Sequence, residues 1–165
     1  MGKSFIGEIA GCLGKVDVGS GLISTVVGGG HSGKTVEGSS ALSADFWSID
    51  GLAIGDEGNL FIADAHQGKS FKVDGTSGLV TRVAGTGEQG FGGDGESARN
   101  ASFRFANVMS VDKAGNLFVT GEVNQNGSCA AGNLEPGPYL SDAVADSTGN
   151  DCFVEGAMDI VQECR

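Results

Sequence analysis

Apolar and polar positions alternate along this chain in short bursts, each closed by a turn signal. Gly51-Leu52-Ala53-Ile54-Gly55 is an apolar run ended by Asp56-Glu57-Gly58-Asn59. Leu60-Phe61-Ile62-Ala63 is a second apolar run, and Ser70-Phe71-Lys72-Val73 alternates polar with apolar. After the turn Asp74-Gly75-Thr76-Ser77-Gly78, the run Leu79-Val80-Thr81-Arg82-Val83-Ala84 alternates again. Bursts of this length, bounded by Gly, Asp, Asn and Ser, are strands rather than helices. They predict four strands joined by tight turns, an antiparallel meander. A glycine-rich stretch follows at 85–95, then Ser97-Ala98-Arg99-Asn100-Ala101-Ser102-Phe103 predicts one helical turn. Val108-Met109-Ser110-Val111 and Leu117-Phe118-Val119 open the strand pattern once more.

The pattern is a repeat. Lys15-Val16-Asp17 returns as Lys72-Val73-Asp74, an offset of 72 − 15 = 57 residues. Gly58-Asn59-Leu60-Phe61-Ile62 returns at the same offset as Gly115-Asn116-Leu117-Phe118-Val119. Without a gap, 19 of the 50 positions from Lys15 to Asp64 are identical to their partners. Repeats of this period belong to arrays in which no unit can bury its apolar face alone. Beyond Gly121 the pattern decays: 124–138 is rich in Asn, Gly and Pro, and a faint echo at 144–156 sets Cys152-Phe153-Val154 against Leu117-Phe118-Val119 with one insertion.

Four motifs together resemble the NHL-repeat β-propeller family: Ile23-Ser24-Thr25-Val26-Val27-Gly28, the loop Gly87-Glu88-Gln89-Gly90-Phe91-Gly92-Gly93-Asp94-Gly95, the run Gly58-Asn59-Leu60-Phe61-Ile62-Ala63-Asp64, and the closing Lys72-Val73-Asp74. The likeness spans about 14–121. It departs where the family's Asn-His-Arg stretch is Gln67-Gly68-Lys69, and where its Pro before the inner strand is Ile49 or Ala106. The resemblance implies an all-β fold, an incomplete β-propeller of four-stranded antiparallel blades with about two to three blades present. It divides 1–121 into a partial blade at 14–28, a full blade at about 51–85 and the start of another at 108–121. A degenerate segment, 122–165, carries the blade remnant at 144–156. Propellers have about 4–8 blades, and four units of 57 residues exceed the 165 present, so the chain is expected to be a fragment, with assembly with copies or a partner, or capping by the C-terminal remainder, as the alternatives. Open blade edges are then sites of self-association.

The net charge of −11 argues against a nucleic-acid partner, which needs clustered Lys and Arg. No apolar run reaches the ~20 residues that span a bilayer, so membrane insertion is not expected. No signal peptide is evident and the compartment is open, an extracellular location being compatible with the sequence if the N-terminus is truncated. Cys12, Cys129, Cys152 and Cys164 lack metal-site spacing, and their disulfide state is open. Asn100-Ala101-Ser102 and Asn126-Gly127-Ser128 fit the glycosylation pattern.

Candidate chemistry is sparse. Gly28-Gly29-Gly30-His31-Ser32-Gly33-Lys34-Thr35 satisfies the phosphate-cradling P-loop pattern, but the repeat keeps its glycines at 85, 87 and 90 while setting Phe91 in place of Lys34. The pattern is therefore expected to be an inter-unit turn. His31 and His66 form no ligand pair. Asp50 and Asn107 are equivalent, each just before an inner strand, where the resemblance implies a channel mouth that holds a metal or polarises a substrate. Trp47, the only Trp, is a candidate binding anchor, and glycine-flanked Asp94 supports a turn or serves Ca²⁺. Asp50, Asn107, Trp47 and Asp94 are thus the candidate ligand-binding residues, with no catalytic residue, metal or cofactor expected. The reading is a non-catalytic scaffold binding an unknown protein or small ligand. Its alternative is a metal-assisted lyase or hydrolase propeller missing blades, with a P-loop nucleotide binder third.

Overall fold

The computed structural model describes residues 4–7, 11–29, 34–90, 92–93, 95–121, 143–145 and 152–154, with the backbone alone for 4–7, 143–145 and 152–154. Among the described residues the chain is all-β. Helix is limited to three 3-10 turns of three residues each, and every strand pairing is antiparallel. Strands β1 (Ser4–Gly7), β2 (Leu13–Val16) and β3 (Ile23–Val27) form one sheet in chain order. Strands β4 (Gly51–Ile54), β5 (Leu60–Asp64), β6 (Lys69–Val73) and β7 (Val80–Ala84) form the four-stranded meander. Two hairpins follow, β8 (Val108–Val111) with β9 (Leu117–Thr120), and β10 (Ala143–Ala145) with β11 (Cys152–Val154). The predicted helical turn is the 3-10 turn Ala98–Asn100, matched 57 residues earlier by Ala41–Ser43.

The repeat holds at the level of single hydrogen bonds. Leu13 pairs with Val27, Gly14 with Thr25 and Val16 with Ile23; Ser70 pairs with Ala84, Phe71 with Arg82 and Val73 with Val80. Both ladders carry their irregularity at the same place, between Leu13 and Gly14 and between Ser70 and Phe71. Both are closed by the same Asp turn. Asp17 Oδ1 accepts Ser20 N–H at 2.9 Å and Ser20 Oγ–H at 2.8 Å, while Asp74 Oδ1 accepts Ser77 N–H at 2.7 Å and Ser77 Oγ–H at 2.8 Å. Carboxylates used this way bridge the turn's own amides.

Strand β1 was not foreseen. Its register pairs Ser4 with Val16 and Phe5 with Lys15, as Leu60 pairs with Val73 and Phe61 with Lys72. Phe5-Ile6 is therefore the structural counterpart of Phe61-Ile62, at an offset of 61 − 5 = 56 rather than 57. One residue fewer between β1 and β2 hides the match from a gapless comparison. At the other end, the β10–β11 register, Ala145 with Cys152 and Val144 with Phe153, parallels Val111 with Leu117 and Ser110 with Phe118. Residues 124–138 lie outside the described residues.

The central sheet is buried on both faces, which is why β5 reads as a continuous apolar run. Leu60, Ile62, Phe71, Val73 and Val80 pack with Leu13, Val27, Ala41, Ala44 and Phe46 of the preceding unit. Phe46 meets Phe71 edge-on, with centroids 5.4 Å apart. Ala53, Phe61, Ala63 and Ala84 pack on the other side with Ala98, Ala101, Phe103, Ala106, Met109 and Leu117. The small residues on that second face let the sheet and the following unit approach closely. Gly51 shows how closely: a Cβ there would sit 2.8 Å from the carbonyl oxygen of Asn107.

Ser70 lies in this alanine-rich face, between its pairing partners Ala63 and Ala84, fully buried, and its hydroxyl finds no hydrogen-bond partner. The equivalent position is Leu13. A buried hydroxyl without a partner costs about 1–3 kcal/mol. Ser70→Ala, which removes the oxygen and leaves a side chain that fits, is expected to raise stability by about 1 kcal/mol in urea unfolding; destabilisation would show that the hydroxyl is satisfied.

Candidate functional site

At the end of the central sheet where β4 begins and β5 finishes, two carboxylate centres tie two loops together. The first centre is Asp64, the last residue of β5 and fully buried. Its Oδ1 accepts the Gln67 backbone N–H at 3.0 Å, and its Oδ2 accepts Gln67 Nε2–H at 2.7 Å and the Trp47 backbone N–H at 2.8 Å. Gln67 Nε2 also donates to the Asp45 carbonyl at 3.2 Å. One buried side chain thereby holds the turn after β5 against the loop that carries Trp47. Burial pushes the Asp64 carboxyl above its ordinary range. The hydrogen bonds from Gln67 and Trp47 oppose that rise, and the charge of Asp50 adds to it.

The second centre is Asp50, on the exposed surface just before β4. Its Oδ2 accepts the Ala65 backbone N–H at 2.9 Å and the Ser48 hydroxyl at 2.5 Å. Ser48 is buried, and its Oγ also lies 3.0 Å from His66 Nδ1. A serine hydroxyl has one proton, and an ionised carboxylate can only accept. With that proton committed to Asp50, Ser48 Oγ accepts from His66, which must carry its hydrogen on Nδ1. The chain His66 → Ser48 → Asp50 therefore places a proton on Nδ1, and in the neutral ring it leaves Nε2 as an acceptor on an exposed side chain.

Aromatic groups surround that ring. Trp47, 59% exposed, has its centroid 6.1 Å from the His66 imidazole at an interplanar angle of 38°. Phe105, from the loop of the following unit, stands edge-on to the same imidazole, with centroids 6.5 Å apart and an interplanar angle of 86°. Phe105 adopts a left-handed backbone (φ 53), unusual for a side chain with a Cβ. Asn107, two residues on, is exposed and donates its backbone N–H to the Thr120 carbonyl at 2.9 Å, as Asp50 does to Ala63 at 3.0 Å.

Of the four expected residues, Trp47 and Asp50 belong to one cluster, and Asn107 lies on the adjoining unit, whose carbonyl abuts Gly51. Asp94 lies outside the described residues, as does His31. Glu37, the position equivalent to Asp94, forms a two-pronged ion pair with Arg99, at 3.0 and 2.7 Å. Ser48, Asp64, His66, Gln67 and Phe105 were missed, because Ser48 and His66 stand 18 residues apart and only the β4–β5 register joins them. The P-loop pattern ends differently from a phosphate site. Gly28 donates to the Ala41 carbonyl at 2.9 Å, as Gly85 does to Ala98, and Thr35 Oγ1 donates to the Asp45 carbonyl at 2.8 Å. A turn follows Thr35, not a helix whose amides could face a phosphate; residues 30–33 lie outside the described residues. Among the described residues, no three His, Cys, Asp or Glu converge where a metal ion could sit.

No model of a protein family matches the sequence, and no curated protein matches it. Among solved structures, the chain is similar to a structural genomics protein of unknown function from Bacteroides thetaiotaomicron VPI-5482. The identity is 22% and the TM-score 0.57, over 70% of this chain and 28% of that one. It is also similar to an auxiliary nutrient binding protein from Bacteroides ovatus ATCC 8483, at 18% identity and a TM-score of 0.49, over 67% of this chain and 30% of that one. The chain thus spans under a third of the length of either. The first likeness shows a shared fold.

The carboxylates of the fold divide by sign. Hydrogen bonds from Ser20 and Ser77 hold Asp17 and Asp74 below their ordinary values, so their contributions are present above the ordinary pKa and fade on acidification through the native value. Asp64 runs the other way. Native protein binds its proton more tightly than the unfolded chain does, so its contribution is greatest at acid pH and declines as pH rises through the native value. The melting temperature of wild type minus that of Asp64→Asn is therefore expected to grow as pH falls from 7 toward 4. A difference that shrinks over this range would mean the native carboxylate is held ionised.

Proposed function

We propose that this chain is a stretch of an NHL-type β-propeller, its repeat units being blades, and that it serves as a scaffold presenting a ligand surface at the seam between two of them. The supporting observation is the exposed group formed by Trp47, His66 and Asp50 with Phe105 contributed from the next unit. A rigid double-faced sheet positions these loops, as scaffolds commonly do. The repeat supplies an internal control. At the equivalent positions Trp47 becomes Arg104, Ser48 becomes Phe105, Asp50 becomes Asn107 and His66 becomes Val123. Among the described residues, the following unit forms the same inner hairpin, β8 with β9, through the changes at 104, 105 and 107.

The chemistry of the cluster selects its ligand. Asp50 offers a carboxylate, His66 offers the Nε2 lone pair, and Trp47 offers a ring face. Acceptors and π-faces, in a protein of net charge −11, suit a cation that donates N–H bonds, an alkylammonium or guanidinium group. Such a group reaches the site on a small amine or on a basic side chain of a partner protein.

Because Trp47 is the only Trp, its fluorescence reports on this site alone. Titration with a short Lys-containing peptide, or with a free alkylamine, is expected to change Trp47 emission saturably, while a peptide with norleucine in place of Lys does not. Binding should weaken by about tenfold in Asp50→Asn, the equivalent of about 1.4 kcal/mol, and should weaken with added salt. Response to the peptide but not to the amine assigns the site to a protein partner. An equal response to the norleucine peptide, or none to either cation, overturns the reading.

A further inference from the structure

The hydrogen-bonded chain that holds His66 decides which of its nitrogens gains a proton. Asp50 Oδ2 takes the Ser48 hydroxyl proton at 2.5 Å, so Ser48 Oγ accepts from His66 Nδ1, 3.0 Å away. Nδ1 is then a donor in the neutral ring and in the imidazolium alike. Gain or loss of a proton falls on Nε2, and the inner chain keeps its hydrogen bonds through the change. Ser48 is buried and His66 is exposed, so the link to Asp50 is shielded while the outer nitrogen meets solvent.

Protonation at Nε2 replaces a lone pair with an N–H and adds a positive charge. That charge appears where the rings and a carboxylate converge. The Trp47 ring is centred 6.1 Å from the imidazole, at the outer limit of the range over which an aromatic face attracts a cation. Asp50 is joined to the same imidazole through one hydroxyl. An imidazolium here draws on the carboxylate and the Trp47 face that a bound cation would use, and it repels that cation besides.

The elements packed around His66 carry further charges. Asp45 and Asp50 lie on the loop before β4, Asp64 ends β5, Lys69 begins β6, Glu88 follows the glycine that packs on Gly68, and Arg104 precedes Phe105. Asp50 is the one joined to the ring by hydrogen bonds. Asp64 instead receives the Gln67 and Trp47 amides. Burial raises its carboxyl, so pH also reaches the Trp47 loop through that group.

We propose that protons switch the cation site at Trp47. With His66 neutral at Nε2, the site admits an alkylammonium or guanidinium group; with His66 protonated there, the imidazolium takes that group's place and releases it. This rests on the cation reading above and adds its regulation. Histidine is the side chain that changes charge between about pH 5 and 8, so acidification through that interval is the trigger.

Titration of Trp47 emission with butylamine, charged like a Lys side chain throughout, tests the switch at about pH 7.5 and about pH 5.5. Half-saturation is expected to need about tenfold more amine at the lower pH, the loss that an ordinary histidine gives when only its neutral form is competent. In His66→Asn, whose amide can still donate to Ser48 but has no basic nitrogen, the two values should agree within about twofold. Wild type alone gives a second reading through linkage. Saturating butylamine should lower the pH at which the His66 ring C–H resonance titrates, that resonance being identified by its absence from His66→Asn. No Trp47 response at about pH 7.5 overturns the cation reading itself, and the switch with it. A response that is equal at both pH values, a pH dependence that persists in His66→Asn, or a His66 titration unmoved by the amine overturns the switch and leaves the cation reading standing.

Discussion

A four-stranded sheet that is apolar on both faces cannot fold by itself in water, and this constraint governs the molecule. Leu60, Ile62, Phe71 and Val80 point one way, while Phe61, Ala63 and Ala84 point the other. Burial of such side chains contributes about 25 cal/mol per Å² of apolar surface, more than any other favourable contribution to folding. The stabilisation comes only when a neighbouring unit covers each face. The repeat is the means by which one sequence pattern supplies those neighbours. Phe46 covers Phe71 from one side, and the equivalent Phe103 packs in the core on the other. The alanines at 41, 44, 98 and 101 keep the connecting segments thin enough to lie between sheets.

Much of this architecture was legible in the sequence because local and long-range signals agree. Turn residues bound every strand of the central meander, and apolar runs match strand length. Strand β1 escaped because a single deletion moved Phe5-Ile6 out of phase with Phe61-Ile62, and strand identity is sensitive to a one-residue slip. The ligand cluster was less legible. Trp47 and Asp50 announce themselves by residue type and position. Ser48 looks like one more loop serine, and His66 like a solvated histidine. What unites them is the pairing of Gly51 with Ala63, which sets the loop before β4 beside the turn after β5. A signal was nonetheless present in the repeat: positions 47, 48 and 50 all change character in the next unit, while Gly58, Asn59, Leu60 and Phe61 do not.

The buried Asp64 links the fold to the surface above it. A carboxylate inside a protein is costly unless its oxygens are engaged. Here they receive Gln67 twice and the backbone of Trp47 once. Those bonds fix the path of the chain at 47 and at 67, and with it the relative placement of the Trp47 and His66 rings. The following unit has Gly121 at the equivalent position and therefore no comparable anchor. Among the described residues the cluster is thus local to one seam, although the sheets beneath it repeat.

Covered and uncovered edges follow from the same geometry. The strap 38–41 crosses from the unit before it to the outer strand of the unit after it. β7 has 38–41, and its Val80 is buried. β3 has the same hydrogen-bonding register and the same Asp turn, yet Leu22 and Ile23 face solvent. Exposed, unpaired edges recruit other strands unless charge, proline or a bulge prevents it. β3 carries none of these along Ile23, Ser24 and Thr25; its irregularity falls further along, opposite Leu13 and Gly14.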